Sequence, residues 1–86
     1  MYTIKYHKNA QKDIKNLKAA KLDKKAKQLI EVLKEDPFMT TPSYEKLQWD
    51  LKGAYSRKIN NQHRLVYKVN KKTKTVFIIS MWGHYE

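Results

Sequence analysis

Apolar and polar positions change their period several times along this chain, and each change marks an element. Tyr2-Thr3-Ile4-Lys5-Tyr6 alternates, which predicts a short strand with Tyr2, Ile4 and Tyr6 on one face. His7 and Lys8 end it. Asn9 is then the expected cap of an amphipathic helix, in which Ala10, Ile14 and Leu17 line one side while Lys8, Lys12 and Lys15 mark another. The pattern loosens from Ala19 to Leu22. A second helix follows, with Asp23 as its expected cap and Ala26, Leu29, Ile30 and Leu33 as its apolar stripe. It should stop before Pro37, because the residue preceding a proline is driven out of the α region.

Phe38 to Tyr44 contains two threonines, Pro42 and Ser43 and reads as an irregular connector crossing the sheet. Glu45 to Leu51 fits either a short strand or a continued loop, with Leu47, Trp49 and Leu51 alternating against polar residues. Gly53 permits a bend. Two β-forming runs, Ala54 to Ile59 and His63 to Val69, flank Asn60-Asn61-Gln62, where asparagine tolerates the positive φ of tight hairpin turns. Alternation puts His63, Leu65, Tyr67 and Val69 on one side and Arg64, Val66 and Lys68 on the other. On this reading Arg57, Lys58, His63 and Arg64 cluster around one turn. After a second turn at Asn70 to Lys74, the nearly continuous apolar run Thr75 to Trp82 suits a central strand buried on both faces, followed by Gly83-His84-Tyr85-Glu86.

The pattern therefore predicts an α+β fold, an N-terminal helical hairpin packed on a twisted, mainly antiparallel sheet. With 86 residues the whole chain, 1–86, is expected to form a single domain. Its formal charge of +11 attracts polyanions through counterion release, so RNA, DNA or an acidic protein is implied as a partner. Of the 19 lysines and arginines, only Arg57 and Arg64 are arginine, and both fall in the hairpin, where a bidentate guanidinium has a geometric use that lysine lacks. Cysteine is absent, no apolar run approaches the ~18 residues of a membrane span, and the N-terminus lacks the apolar core of a signal peptide. A cytoplasmic protein without membrane attachment is the expectation.

No dinucleotide, P-loop, zinc or serine-hydrolase signature is present, and His7, His63 and His84 do not have the spacing of a standard metal set. No cofactor and no metal are expected. What remains is acid, base and phosphate-binding chemistry. Cleavage of RNA by its own 2′-hydroxyl needs a base for that proton, cations for charge growing on the phosphate, and an acid for the leaving 5′-oxygen. Glu45, just upstream of the basic hairpin, is a candidate base; Arg64 is a candidate phosphate clamp; His84 is a candidate acid; and Tyr85 is a candidate stacking platform for a base. Each also has an ordinary reading: a solvated glutamate, a surface ion pair, an unremarkable histidine and a strand-end aromatic.

The run Glu45-Lys-Leu-Gln-Trp-Asp-Leu-Lys-Gly-Ala-Tyr-Ser-Arg-Lys-Ile-Asn-Asn-Gln-His-Arg-Leu-Val-Tyr67, together with the terminal His84-Tyr85, resembles the YoeB (Txe) toxins of the RelE/ParE superfamily. In length and element order the likeness extends over essentially the whole chain. It implies an mRNA interferase that enters the ribosomal A site, cuts the message there and is restrained by a cognate antitoxin of the YefM type; a homodimer is a further expectation. It also implies catalytic roles for Glu45 (base), Arg64 (transition-state clamp), His84 (acid) and Tyr85, and an RNA-gripping patch at Arg57, Lys58 and His63. Gln48 stands where the family pattern has a lysine, which leaves two readings: the neutral amide weakens phosphate stabilisation, or Lys46 substitutes for the missing charge. Two other classes stay open: a non-catalytic toxin of the ParE kind that binds an acidic protein target, and a basic nucleic-acid-binding module.

Overall fold

The computed structural model describes residues 1–83, with the backbone alone at Trp49. Strand β1 (Thr3–Tyr6) leads into helices α1 (Lys8–Ala19) and α2 (Asp23–Glu35), followed by β2 (Glu45–Lys46), a 3-10 turn (Trp49–Leu51), β3 (Tyr55–Lys58), β4 (Arg64–Asn70) and β5 (Thr75–Ser80). The strands form one five-stranded sheet in the order β1-β5-β4-β3-β2. β1 runs parallel to β5, with Ile4 opposite Val76, and the other pairs are antiparallel.

Both helices cover one face of this sheet. Their apolar stripes, Ala10 and Leu17 from α1 and Ala26, Leu29, Ile30 and Leu33 from α2, form a buried cluster with Leu65, Tyr67, Val76, Ile78 and Met81. Ile14 belongs to the predicted stripe but is partly exposed at the edge of the packing. The opposite, outer face carries only a small cluster, Leu47, Ala54 and Val66 with Leu51 and Ile79 against it. That asymmetry corrects one expectation: β4, not β5, is the central strand, and Phe77 of β5 is 38 % exposed because no helix covers its side.

The element ends also differ from the sequence expectation. The cap of α1 is His7, whose Nδ1 accepts a hydrogen bond from Asn9 N–H at 3.1 Å. Asn9 lies one turn position too late, because His7 N–H still donates to Ile78 in the sheet and helix geometry starts at Lys8. α1 closes with Lys21 at φ 60, Leu22 N–H returning to the Leu17 carbonyl and Lys21 N–H to that of Lys18. This is the pairing that satisfies carbonyls left free at a helix end. Leu22 flanks α2, and Asp23 is its first helical residue, where its carboxylate favours the positive end of the helix.

Both hairpin turns are built on an asparagine side chain. Asn60 Oδ1 accepts from Gln62 N–H (2.9 Å) and His63 N–H (2.7 Å), and Asn70 Oδ1 accepts from Lys72 N–H (3.0 Å) and Thr73 N–H (3.1 Å). Among the described residues Lys21 and Lys74 alone of the non-glycines have positive φ, so Asn60 works through its carbonyl oxygen and not through a left-handed backbone.

Candidate active site on the outer face of the sheet

The hairpin register decides which side chains meet. Ser56 pairs with Val66, Lys58 with Arg64 and Glu45 with Ser56, so Glu45, Ser56, Lys58 and Arg64 all belong to the outer face, away from the helices. Arg64 extends along this face. Its Nη1 donates to Ser56 Oγ at 3.0 Å, and its Nη2 donates to Glu45 Oε1 at 3.2 Å. The arginine side chain is 14 % exposed and the glutamate 66 %. The guanidinium is thus held by a buried hydroxyl beneath it while the carboxylate stays open to solvent. With its carboxylate end in solvent, the ion pair itself contributes little, about 0.2–1 kcal/mol.

Lys58 stands across from Arg64 and is exposed, which leaves its ammonium free to meet an anion. Lys46 pairs with Tyr55 and so takes the side of the strand opposite to Glu45. It lines a cleft at the sheet edge with Gln48, Lys52 and Gly53, so replacement of the missing family lysine by Lys46 is not what the register favours.

Arg57 is the clear departure. It pairs with Leu65, which puts it on the helix-covered face, and it is fully buried. Nε donates to Tyr67 Oη (3.1 Å), Nη2 to the carbonyls of Pro37 (3.1 Å) and Met39 (2.7 Å), and Nη1 to the carbonyl of Pro42. Tyr67 Oη in turn donates to the Pro37 carbonyl at 3.1 Å, and the Tyr44 ring lies 5.1 Å from the guanidinium carbon. Burial pushes the Tyr67 hydroxyl up to about 12, against a smaller opposing pull from Arg57. Arg57 therefore does not belong to an RNA-gripping patch with Arg64. It ties the 37–42 connector to the sheet, and that connector delivers Glu45 to the outer face.

His63 also differs from the expectation of a phosphate-facing cation. Its ring stacks on Trp82 with centroids 3.7 Å apart, and its Nδ1 accepts from Gly83 N–H at 3.0 Å. The Gly83 carbonyl accepts from Arg64 N–H at 2.9 Å. His84 and Tyr85 lie outside the described residues, but Gly83, bonded directly to His84, is hydrogen-bonded to the backbone of the arginine that holds Glu45. Ser56, Trp82 and Gly83 were not singled out by the sequence reading. Ser56 had a signal there, since alternation puts it on the same face as Lys58.

Comparison with known proteins places the chain and its fold in one family. The family model for the YoeB-like toxin of bacterial type II toxin-antitoxin systems matches residues 6–85. Toxin YoeB of Synechocystis is 39 % identical over 66 residues, covering 77 % of this chain and 74 % of that protein. The YoeB/ParE toxin from Agrobacterium tumefaciens superposes with a TM-score of 0.86 at 27 % identity, over 96 % of this chain and 99 % of that one. YoeB of Staphylococcus aureus, in its complex with YefM, gives a TM-score of 0.81 at 32 % identity over 99 % of both chains; the same toxin has been solved as a dimer. The two-helix, five-strand architecture, the basic hairpin and the match along nearly the whole chain lead to one conclusion: this protein belongs to the YoeB-like toxins of bacterial type II toxin-antitoxin systems.

Proposed function

We propose that the chain is a ribosome-dependent endoribonuclease that cuts mRNA in the A site. The supporting observation is the Glu45–Arg64 pair at 3.2 Å, with Gly83 bound to the Arg64 backbone. Arg64, held from below by Ser56, has its second guanidinium nitrogen directed to an open carboxylate, and a phosphodiester oxygen entering there can take the place of Glu45 Oε1 as its acceptor. The released carboxylate then removes the 2′-hydroxyl proton. O2′ attacks phosphorus, the bond from phosphorus to O5′ breaks, and His84 protonates the departing O5′, leaving a 2′,3′-cyclic phosphate and a 5′-hydroxyl. Tyr85 stacks on a base, Lys58 draws the backbone onto the face, and Lys46 flanks it from the sheet edge.

Isolated, the toxin cleaves naked RNA poorly, because the ribosome supplies the orientation for in-line attack. The partners are mRNA, ribosomal RNA and an antitoxin of the YefM type, and the working compartment is the cytoplasm; a toxin homodimer is in keeping with the solved Staphylococcus aureus dimer. The test is cleavage of a defined message on programmed ribosomes by wild type and by Glu45→Ala, Arg64→Ala and His84→Gln. Wild type should cut in the A site, and the three variants should bind ribosomes but cut far more slowly. Growth arrest without A-site ends would point to a non-catalytic toxin, and rapid cutting of naked RNA would remove the ribosome from the scheme.

A further inference from the structure

The segment after β5 is fastened to the fold at three backbone points. Met81 N–H donates to Asp13 Oδ2 on α1 at 2.9 Å, and the Met81 side chain is buried in the main core. Gly83 is held at both ends of its own residue, its N–H by His63 Nδ1 at 3.0 Å and its carbonyl by Arg64 N–H at 2.9 Å. Between these points the Trp82 ring lies nearly flat on the His63 ring, with an interplanar angle of 18°. An imidazole accepting at Nδ1 carries its single proton on Nε2, so one nitrogen and one face of His63 are already occupied within the protein. Only Nε2 and the other face are left for an outside partner.

We propose that His63 is a positioning residue for the proposed acid, His84: its Nδ1 and stacked ring clamp Trp82-Gly83, the two residues that lead into it. This rests on the nuclease reading, in which His84 is the general acid. Glu45 and Arg64 are set by the sheet, but His84 follows a glycine at φ +102, a conformation that supplies no stiffness of its own. One hydrogen bond from Arg64 would leave that residue free to pivot. The second bond and the stack remove the pivot, and general-acid catalysis depends on holding the donor within hydrogen-bonding reach of O5′.

Two substitutions separate the parts of the clamp. His63→Phe keeps an aromatic ring against Trp82 and removes the acceptor, whereas His63→Asn keeps an acceptor near the Nδ1 position and removes the ring. In His63→Phe, amide exchange at Gly83 should accelerate on the order of tenfold. Single-turnover cleavage on programmed ribosomes should fall on the order of tenfold to a hundredfold, with ribosome affinity held within about twofold. His63→Asn should recover part of both losses, and urea midpoints of the two variants should stay near wild type. Three results would overturn the assignment: Gly83 exchange unchanged in His63→Phe, affinity falling in step with cleavage as for an RNA-gripping residue, or equal cleavage by the two variants. Should wild type itself fail to cut on ribosomes, the nuclease reading is lost by itself. Exchange at Gly83, measured on the free toxin, then still decides whether His63 holds the segment.

Discussion

Arg57 and Arg64 stand on neighbouring strands of one hairpin and project to opposite faces of the sheet. Arg64 reaches Glu45 in the open, while Arg57 is enclosed among the carbonyls of Pro37, Met39 and Pro42 and the hydroxyl of Tyr67. Arg57→Ala would take the donor from the Met39 and Pro42 carbonyls and leave Pro37 with Tyr67 Oη alone, and it should destabilise the fold on the order of 3 kcal/mol, read as a shift in urea midpoint. Arg57→Lys should restore only part of this, because an ammonium cannot match the planar fork that reaches all four oxygens.

Arg64→Ala should weigh on cleavage more than on stability. It removes a mostly buried guanidinium and leaves the Ser56 hydroxyl without that partner, which should cost about 1–2 kcal/mol, while cleavage on ribosomes falls on the order of a hundredfold or more. Ser56→Ala, which removes the acceptor beneath the guanidinium, should lower cleavage by about tenfold with binding retained.

Tyr67 gives a pH dependence whose sign is fixed by its environment. Its hydroxyl ionises at about 12 in the fold against an ordinary value of 10, so the native state keeps this proton where the unfolded chain loses it. The stabilisation is complete below pH 10 and is lost as pH rises towards 12, amounting to about 2–3 kcal/mol. Urea unfolding at pH 9, 10, 11 and 12 should show a fall in wild type that is smaller by this amount in Tyr67→Phe. That variant should also be less stable at neutral pH, since Arg57 Nε loses its acceptor.

Gly83→Ala tests the backbone before His84. A Cβ at this position meets nothing within 4 Å among the described residues, so the substitution is opposed there by the φ of +102 and not by crowding. The strain of about 1–3 kcal/mol falls on the end of the chain, so cleavage should drop while the urea midpoint of the core stays near wild type.

Lys58 should reveal itself through salt. If its ammonium contacts one RNA phosphate, Lys58→Ala should weaken ribosome binding and make the slope of log affinity against log salt shallower by about 0.7. An unchanged slope would remove Lys58 from the binding face.

The two helices, the connector and the hairpin were legible because their periods differ and proline and asparagine separate them. Glu45 and Arg64 could be placed on one face only once the register was known. Arg57 was misplaced for a reason visible in retrospect: Tyr55 and Ile59, at alternate positions on either side of it, are apolar, so the strand period already put Arg57 on the core face. Charge suggested exposure, and the period was the better guide. The role of β5 was missed because a run of apolar residues does not reveal whether a second layer exists to cover it; here it covers one side, and Phe77 stays exposed. The hydrogen bond to Gly83 had no sequence signal at all, since it joins a backbone N–H to a histidine in the turn before β4.

The parallel pairing of β1 with β5 has a consequence for biosynthesis. Thr3–Tyr6 emerges from the ribosome long before its hydrogen-bonding partner Thr75–Ile78 has been translated, so the sheet gains this strand only after almost all of the intervening chain is out. Such long-range closure is slow compared with helix formation. A nascent chain therefore has both helices, Glu45 on β2 and the Arg64 hairpin available early but gains β5 and the Gly83 contact to Arg64 late, so the outer face around the Glu45–Arg64 pair is completed only when translation of the described fold is nearly finished.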